Sequence, residues 1–294
     1  MFTKILSFFI AVITFIPGIL GFDITEIKND LYLDVAYGTH ERNKLDLCIP
    51  KYTDEAGLIL FIHGGAWVAG DKEAYRKDMK SFANKYGCVC ASVNYRYISE
   101  MVDINDIMDD IELAVACIRT RCVENGVRVE KMLLTGASAG GHLALLYGYS
   151  RADASAVKPV AVFANCGPTD FTDENFYIDN AMGDSEFMAT LFSWACGQAF
   201  TYENRSEARE ALKKISPVYY VNESTVPTVI NHGMKDNIVP FSNAQSLNAK
   251  LDEYEVVHVF NAFPNSGHGL SDDDYNEELS DKLADRFIRE YLAV

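Results

Sequence analysis

The fold of this chain is decided by the stretch KMLLTGASAGGHLALLYGYS, residues 131–150. Residues 131–135 are predicted to form a buried strand, and residues 138–149 are predicted to form a helix. Between them, GASAG at residues 136–140 fits the pattern Gly-x-Ser-x-Gly. Small neighbours let a strand turn sharply into a helix, and a serine at the centre of that turn projects from the sheet. Ser138 is therefore our candidate nucleophile.

The sequence on both sides of this stretch alternates between strand and helix patterns. Alternation of this kind predicts an α/β fold, with a mostly parallel central sheet and helices on both faces. The first two strands have alternating apolar residues and are expected to form an opening hairpin. Besides residues 131–149, the predicted strands are residues 31–37, 44–49, 58–62, 88–93, 159–165, 225–231 and 256–262, and the predicted helices are residues 73–86, 104–122, 243–253 and 276–292.

Residues 171–221 interrupt this alternation with two or three helical segments and many aromatic side chains. We expect this segment to be a small helical cap insertion over one end of the sheet. Residues 23–294, with this insertion included, are expected to form one α/β domain, because 294 residues suit a single domain of this class.

Residues 1–22 carry one charge, Lys4, and are otherwise mostly apolar, and acidic residues follow them. This pattern is typical of an export signal or an N-terminal membrane anchor, and a helix packed on the domain is the third interpretation. Either of the first two places the catalytic domain outside the cytoplasm, secreted or anchored to a membrane through residues 1–22. Unpaired cysteines favour the alternative of a cytoplasmic protein.

Composition excludes some functions. The formal net charge is −16 and the pI is near 4.7, with no basic run, which argues against nucleic acid as a partner. The seven cysteines form no C-x-x-C pair and no Cys/His cluster with zinc spacing. We therefore expect no metal, and we interpret the cysteines as small buried residues.

A glycine-rich turn follows the strand at residues 58–62, with the sequence His63-Gly64-Gly65-Ala66-Trp67. In acyl transfer the developing oxyanion needs hydrogen-bond donors that are fixed in advance. Backbone N–H groups of this turn and of the residue after the nucleophile can supply them, which makes Gly65, Ala66 and Ala139 the candidates. His63 precedes the turn, so we expect its ring to tie the loop together.

Two later loops supply an acid and a base. HGMKDNIVP at residues 232–240 follows the strand at residues 225–231, and Asp236 is the candidate acid. NSGHGL at residues 265–270 follows the strand at residues 256–262, and it places His268 between two glycines. The order Ser138, Asp236, His268 along the chain is that of the α/β-hydrolases. An acid in this place orients the histidine ring and stabilises its charged form.

With these motifs the chain resembles the α/β-hydrolase superfamily, in the esterase branch with a His-Gly-Gly-x-Trp oxyanion turn. That branch includes carboxylesterases, feruloyl and acetyl-xylan esterase-like enzymes and arylformamidases, and it borders the hormone-sensitive-lipase-like esterases. Ala66 stands where the lipase-like group has glycine, which favours the esterase and formamidase branch. The resemblance spans residues 31–292, and its further carriers are Asn94-Tyr95-Arg96, Gly167-Pro168-Thr169-Asp170 and Ser216-Pro217.

The resemblance implies a serine esterase that needs no cofactor and that cleaves carboxylic esters of small acyl or aryl groups through an acyl-enzyme on Ser138. The expected partner is a small-molecule ester, with an esterified polysaccharide as one form of it. An arylformamidase or a peptidase on the same scaffold is the alternative, and a non-catalytic binding protein with this fold is the alternative of another class. Trp67, Phe171 and Trp194 are candidate pocket residues, although the aromatic residues of the insertion can equally be core.

Overall fold

The structure is a computed structural model, and it describes residues 29–178 and 180–292. Eight strands form one sheet in the order β1-β2-β4-β3-β5-β6-β7-β8. Strand β2 runs antiparallel to β1 and β4, and all other neighbours are parallel, so the prediction of a mostly parallel sheet with an opening hairpin is confirmed. The strands are β1 (Asn29–Ala36), β2 (Lys44–Pro50), β3 (Leu58–Ile62), β4 (Val89–Val93), β5 (Lys131–Ala137), β6 (Lys158–Asn165), β7 (Thr228–Gly233) and β8 (His258–Phe263).

Helices cover both faces of the sheet, which explains why β3 and β4 are buried at every residue. Side chains of α2, α3 and α6 pack in one core, and side chains of α1 and α7 pack in the other. Leu60 belongs to the first core and its neighbour Phe61 to the second, as expected for a strand between two layers. The helices are α1 (Arg76–Tyr86), α2 (Ile104–Glu124), α3 (Ala139–Ser150), α4 (Ser185–Cys196), α5 (Arg209–Lys214), α6 (Phe241–Glu253) and α7 (Asp274–Tyr291).

Some predicted boundaries move for local reasons. Strand β7 begins at Thr228 and not at residue 225, since Pro227 has no N–H to give to a ladder. Strand β8 begins at His258 and not at residue 256, because Glu255 has a φ of 52° and the N–H of Val256 turns back to Leu251 at 3.0 Å.

The segment between β6 and β7 contains α4, α5 and three 3-10 turns, Glu174–Tyr177, Arg205–Ala208 and Pro217–Tyr220. Its base is an aromatic cluster in which the ring centroids of Phe171, Phe176 and Phe192 lie 5.0 to 6.1 Å apart. Residues 1–22, where we expect a signal or an anchor, lie outside the described residues. Within the described ranges, we find no helix that is long and apolar enough to span a membrane.

The register of the parallel strands brings their carboxyl ends close together at one edge of the sheet. Ile62 at the end of β3 pairs with Gly136, and Asn165 pairs with Asn231, which pairs with Asn261. The side-chain amides of these three asparagines are also linked, because Asn261 donates to Asn231 at 2.9 Å and Asn231 donates to Asn165 at 2.8 Å. Asn276 of α7 donates to Asn261 at 2.8 Å and begins this asparagine chain. The loops after β6, β7 and β8 therefore leave the same edge of the sheet, where β7 and β8 extend two residues beyond the end of β6.

Candidate active site

Ser138 sits at the junction of β5 and α3 with a φ of 56° and a ψ of −125°. This conformation is rare for a residue with a Cβ atom, and such backbone strain is concentrated at functional sites. The N–H of Ser138 donates to the carbonyl oxygen of Asn165 at 2.8 Å. The turn packs tightly against the end of β3, since a Cβ atom on Gly140 would lie 2.0 Å from the carbonyl oxygen of Ile62. The glycines that flank the serine thus permit the contact that holds it.

The glycine-rich turn after β3 lies beside Ser138. A Cβ atom on Gly64 would approach the Cβ atom of Ser138 to 3.4 Å. Three successive residues of this turn, Gly65, Ala66 and Trp67, have positive φ angles of 114°, 48° and 61°. The N–H groups of Val68 and Ala69 donate to the oxygen of Gly65 and close the turn. Successive left-handed residues direct neighbouring N–H groups to one side, an arrangement that suits an anion.

His142 joins this turn to the insertion. Its Nδ1 accepts a hydrogen bond from the indole Nε1 of Trp67 at 3.1 Å, and its Nε2–H donates to the carbonyl oxygen of Ile215 at 2.7 Å. Burial lowers the pKa of His142 to about 4, so the ring is neutral at physiological pH. His142 thus connects α3, the glycine-rich turn after β3 and the end of the insertion.

The interpretation of Trp67 and Phe171 as pocket walls needs correction. Trp67 is 3% exposed and Phe171 is 0% exposed, and both rings belong to the core beside His142. Their large apolar surface is used in packing, which the sequence pattern could not distinguish from a pocket wall.

Trp194, in contrast, is half-buried and lines a cavity of about 580 Å³ between α4 and the loop after β4. The carboxylates of Glu100, Asp103 and Asp106 belong to the same lining. Ile98, in this loop, donates its N–H to the carbonyl oxygen of Trp67 at 2.9 Å, which links the loop to the glycine-rich turn after β3. The cavity therefore has an aromatic wall and an acidic rim.

Asp236 and His268 are brought together as the sequence predicted. His268 Nδ1 lies 2.7 Å from Asp236 Oδ2, and Asp236 Oδ1 accepts the N–H groups of Ile238 and Val239 at 2.9 and 3.0 Å. Burial alone would raise the pKa of the Asp236 carboxyl, but His268 and the backbone donors outweigh it, and the pKa is lowered. A charged carboxylate is thus held against a histidine that is itself 7% exposed.

Cys166 and His232 surround the same carboxylate, and the ligand atoms of these two side chains and of Asp236 lie within 4.8 Å of one another. Burial raises the pKa of the Cys166 thiol well above its usual range, so it carries its proton. His232 Nε2–H donates to the carbonyl oxygen of Val239 at 2.9 Å and lies 3.4 Å from Asp236 Oδ2. Such a set of atoms also suits zinc, and within it the His232 Nε2–H already faces the carbonyl oxygen of Val239.

Asp273 anchors the loop that carries His268, although no pattern in the sequence identifies it. Its carboxylate accepts the N–H of Ser266 at 2.8 Å, the Ser266 hydroxyl at 2.6 Å and the N–H of Asn265 at 2.9 Å. In the sequence, Asp273 is the middle member of an acidic run, and nothing separates it from its neighbours. Only the folded loop shows that one carboxylate of the three is buried.

Ser138 and His268 follow β5 and β8 at the same edge of the sheet. Among residues 29–178 and 180–292, no hydrogen bond joins the Ser138 hydroxyl to His268. The structure therefore assembles the acid with the base and places the serine on its own strained turn. In hydrolases without substrate, contacts of this kind are often long and shorten when the substrate binds.

Comparisons with known proteins agree with this architecture. A truncated form of a carbohydrate esterase from gut microbiota superposes with a TM-score of 0.70 at 21% identity, covering 89% of this chain and 98% of that one. A thermophilic esterase from Thermogutta terrifontis gives a TM-score of 0.66 at 22% identity, covering 90% and 94%. These similarities show that the fold is that of the α/β-hydrolases.

The sequence comparisons define the family. The BD-FAE family model matches residues 45–251, and the chain belongs to the BD-FAE family. The probable carboxylic ester hydrolase LipM of Mycobacterium tuberculosis is 28% identical over 227 residues, which are 72% of this chain and 49% of LipM. Esterase LipQ of the same organism is 26% identical over 272 residues, 89% of this chain and 62% of LipQ. The chain thus spans about half to three-fifths of these curated relatives.

Proposed function

We propose that this protein is a serine esterase that hydrolyses carboxylic esters through an acyl-enzyme on Ser138. The observation that carries the proposal is the 2.7 Å contact between His268 and the buried Asp236 carboxylate at the sheet edge where strained Ser138 emerges. Curated relatives named as ester hydrolases support the same reaction class.

In the proposed reaction, His268 accepts the hydroxyl proton as Ser138 Oγ bonds to the ester carbonyl carbon. The carbonyl oxygen becomes negative and is held by the backbone N–H groups of Gly65, Ala66 and Ala139. His268 then gives the proton to the leaving oxygen, the carbon–oxygen bond breaks, and an acyl-enzyme remains. A water molecule deprotonated by His268 then attacks the acyl carbon, the bond from that carbon to Ser138 Oγ breaks, and His268 returns the proton to Ser138 Oγ as the acid leaves. Asp236 stays charged throughout and orients the ring.

The proposed substrate carries a small acyl or aryl group on a neutral alcohol, which includes ester groups on polysaccharides. We assign the aryl group or sugar ring of this substrate to the cavity beside Trp194 because of its aromatic wall; the lining of that cavity does not include Ser138, Asp236 or His268. Its acidic rim, together with the net charge of −16, disfavours an anionic substrate. One structural neighbour is itself a carbohydrate esterase.

We also propose that residues 1–22 are a signal or an anchor, which N-terminal sequencing of the mature protein tests.

Labelling with a fluorophosphonate probe tests the nucleophile. Wild type should be labelled and should hydrolyse p-nitrophenyl acetate, whereas Ser138→Ala should do neither. Ser150→Ala is the matched control, because Ser150 ends the same helix and its hydroxyl bonds only to Leu146 in the described part of the chain. Equal labelling of wild type and Ser138→Ala would show that another residue is the nucleophile. A wild-type protein that is neither labelled nor active would support the binding-protein alternative.

A substrate panel separates the remaining enzymatic alternatives. Methyl ferulate and acetylated xylan represent the proposed esters, and N-formylkynurenine represents the formamidase substrate. We expect kcat/KM to be highest for one of the esters. A higher kcat/KM for N-formylkynurenine would assign the chain to the formamidases and would leave the Ser138 mechanism in place.

A further inference from the structure

Arg42, in the turn between β1 and β2, contacts two loops, the one after β3 that carries the glycine-rich turn and the one after β4. Its Nε donates to the carbonyl oxygen of Tyr95 at 2.8 Å, and its Nη2 donates to the carbonyl oxygen of Gly70 at 3.1 Å. The guanidinium carbon lies 3.7 Å from the centre of the Tyr97 ring. Nη2 also lies 3.3 Å from His63 Nε2. A single side chain thus joins the first hairpin to the loops after β3 and β4.

These contacts determine which nitrogen of His63 carries the proton. Arginine can only donate, so Nε2 of His63 must accept, and the proton is on Nδ1. Nδ1 lies 2.8 Å from the carbonyl oxygen of Gly64, which can only accept. Burial and then the Arg42 charge lower the pKa of His63 to about 4, although the Gly64 carbonyl opposes this. The ring is therefore a neutral donor to Gly64, and it is stacked on Tyr95 with centroids 4.2 Å apart.

The Gly64 carbonyl is one side of the peptide whose other side is the Gly65 N–H. A trans peptide is planar, and its C=O and N–H point in opposite directions. Fixing the carbonyl therefore fixes the direction of a proposed oxyanion donor. Gly70 packs over this contact, since a Cβ atom there would lie 2.3 Å from the Gly64 oxygen and 2.5 Å from His63 Nδ1.

We propose that Arg42 is a positioning residue for the oxyanion hole, which acts by holding His63 in the form that orients the Gly64–Gly65 peptide. This inference rests on the proposed esterase function. Arg42 does not touch the reacting atoms. Its effect is to keep one N–H of the oxyanion hole aligned before the substrate arrives, which is the condition under which such donors accelerate acyl transfer.

Arg42→Met and Arg42→Lys test the proposal. Methionine keeps the apolar stem of the side chain and loses every hydrogen-bond donor. Lysine keeps the charge but lacks the planar guanidinium group, which donates in several directions at once. We expect kcat to fall about 10- to 100-fold in Arg42→Met with KM changed less than about threefold, because the lost alignment matters mainly in the transition state. Arg42→Lys should fall between wild type and Arg42→Met. Arg151→Met, which removes an arginine paired with Asp109 and Glu112, should keep wild-type kcat.

A second measurement does not depend on turnover. Spectra of 15N-histidine-labelled protein should show His63 protonated on Nδ1 in wild type and a mixture of tautomers in Arg42→Met or, if that variant does not fold, in Arg42→Lys. An unchanged tautomer together with unchanged kcat in a folded variant overturns the proposal. Arg42 then only stabilises the contact between the first hairpin and the two loops. If wild type hydrolyses no ester, the proposed function fails, while the spectra still decide whether Arg42 sets the His63 tautomer.

Discussion

The edge of the sheet around Ser138 and the insertion between β6 and β7 are built by different kinds of contact. At the edge, backbone packs on backbone, and Gly140 leaves no room for a methyl group against Ile62. In the insertion, side chains do the packing, with Phe171, Phe176 and Phe192 as its centre. Backbone contacts restrict residue identity far more than aromatic packing does. We therefore assign the proposed reaction to the edge of the sheet and the proposed substrate specificity to the insertion.

Gly140→Ala should have the largest effect and would test the backbone side of this comparison. Its Cβ atom would lie 2.0 Å from the Ile62 oxygen and 2.8 Å from the Ile62 carbonyl carbon, so β3 or α3 must move. We expect the free energy of unfolding to fall by about 4 kcal/mol or more in urea denaturation. Gly126→Ala is the control, since its φ of 77° costs about 1–2 kcal/mol and no atom lies within 4 Å. Equal losses would show that the contact at β3 is not tight.

His142→Gln tests the connection between the two regions through the pH dependence of stability. The folded-state pKa of His142 is about 4, below the usual 6.5, because burial disfavours the charged ring. Between these values the unfolded chain binds a proton that the folded chain does not, so stability is lost as pH falls from 6.5 towards 4. We expect the variant to lose about 2–3 kcal/mol less than wild type between pH 7 and pH 4.

Unfolding free energies at several pH values would measure this difference. His258→Gln, at the start of β8, is the control for removing a histidine outside the site. A wild-type slope that His142→Gln leaves unchanged would mean that other groups account for the acid sensitivity.

Asp273→Asn examines the loop that carries the proposed base. An amide accepts fewer hydrogen bonds than a carboxylate, so the contacts to Asn265 and Ser266 are partly lost. We expect kcat for p-nitrophenyl acetate to fall about tenfold, since small errors in the position of a base slow the reaction strongly. Asp274→Asn changes the same charge on an exposed neighbour and should keep wild-type kcat. A similar loss in both variants would indicate a general charge effect.

Trp194→Ala should have the smallest effect and addresses the side-chain region. The ring lines the cavity beside the loop after β4, so its loss should raise KM about threefold to tenfold for aryl esters and leave kcat within about twofold. Phe171→Leu is the contrasting variant, because this buried ring should contribute about 1–2 kcal/mol to stability and nothing to KM. The reverse pattern would mean that the pocket is formed by the aromatic cluster.

The sequence predicted the sheet and the Asp236–His268 pair because both follow from short-range rules. Buried strands appear as apolar runs, and loops at the carboxyl ends of parallel strands meet at one edge. The sharp turn at Ser138 was predictable for the same reason, as it needs small flanking residues that are neighbours in the chain.

The roles of Arg42 and Asp273 were not predictable in this way. Arg42 contacts Tyr95 and Gly70, which are remote in sequence, and the pattern around it indicates only a hairpin turn. Burial of Trp67 and Phe171 depends on packing between α3 and the insertion, and no periodicity in the sequence reports it.

The asparagine chain described for β6, β7, β8 and α7 has a direction. Each side-chain amide donates a hydrogen bond to the next, from Asn276 to Asn261 to Asn231 to Asn165. Rotating the amide of Asn261 or Asn231 by half a turn would place donor against donor and acceptor against acceptor at both of its neighbours in the row. The common orientation of four side-chain dipoles thus supports the arrangement of β6, β7, β8 and α7 side by side.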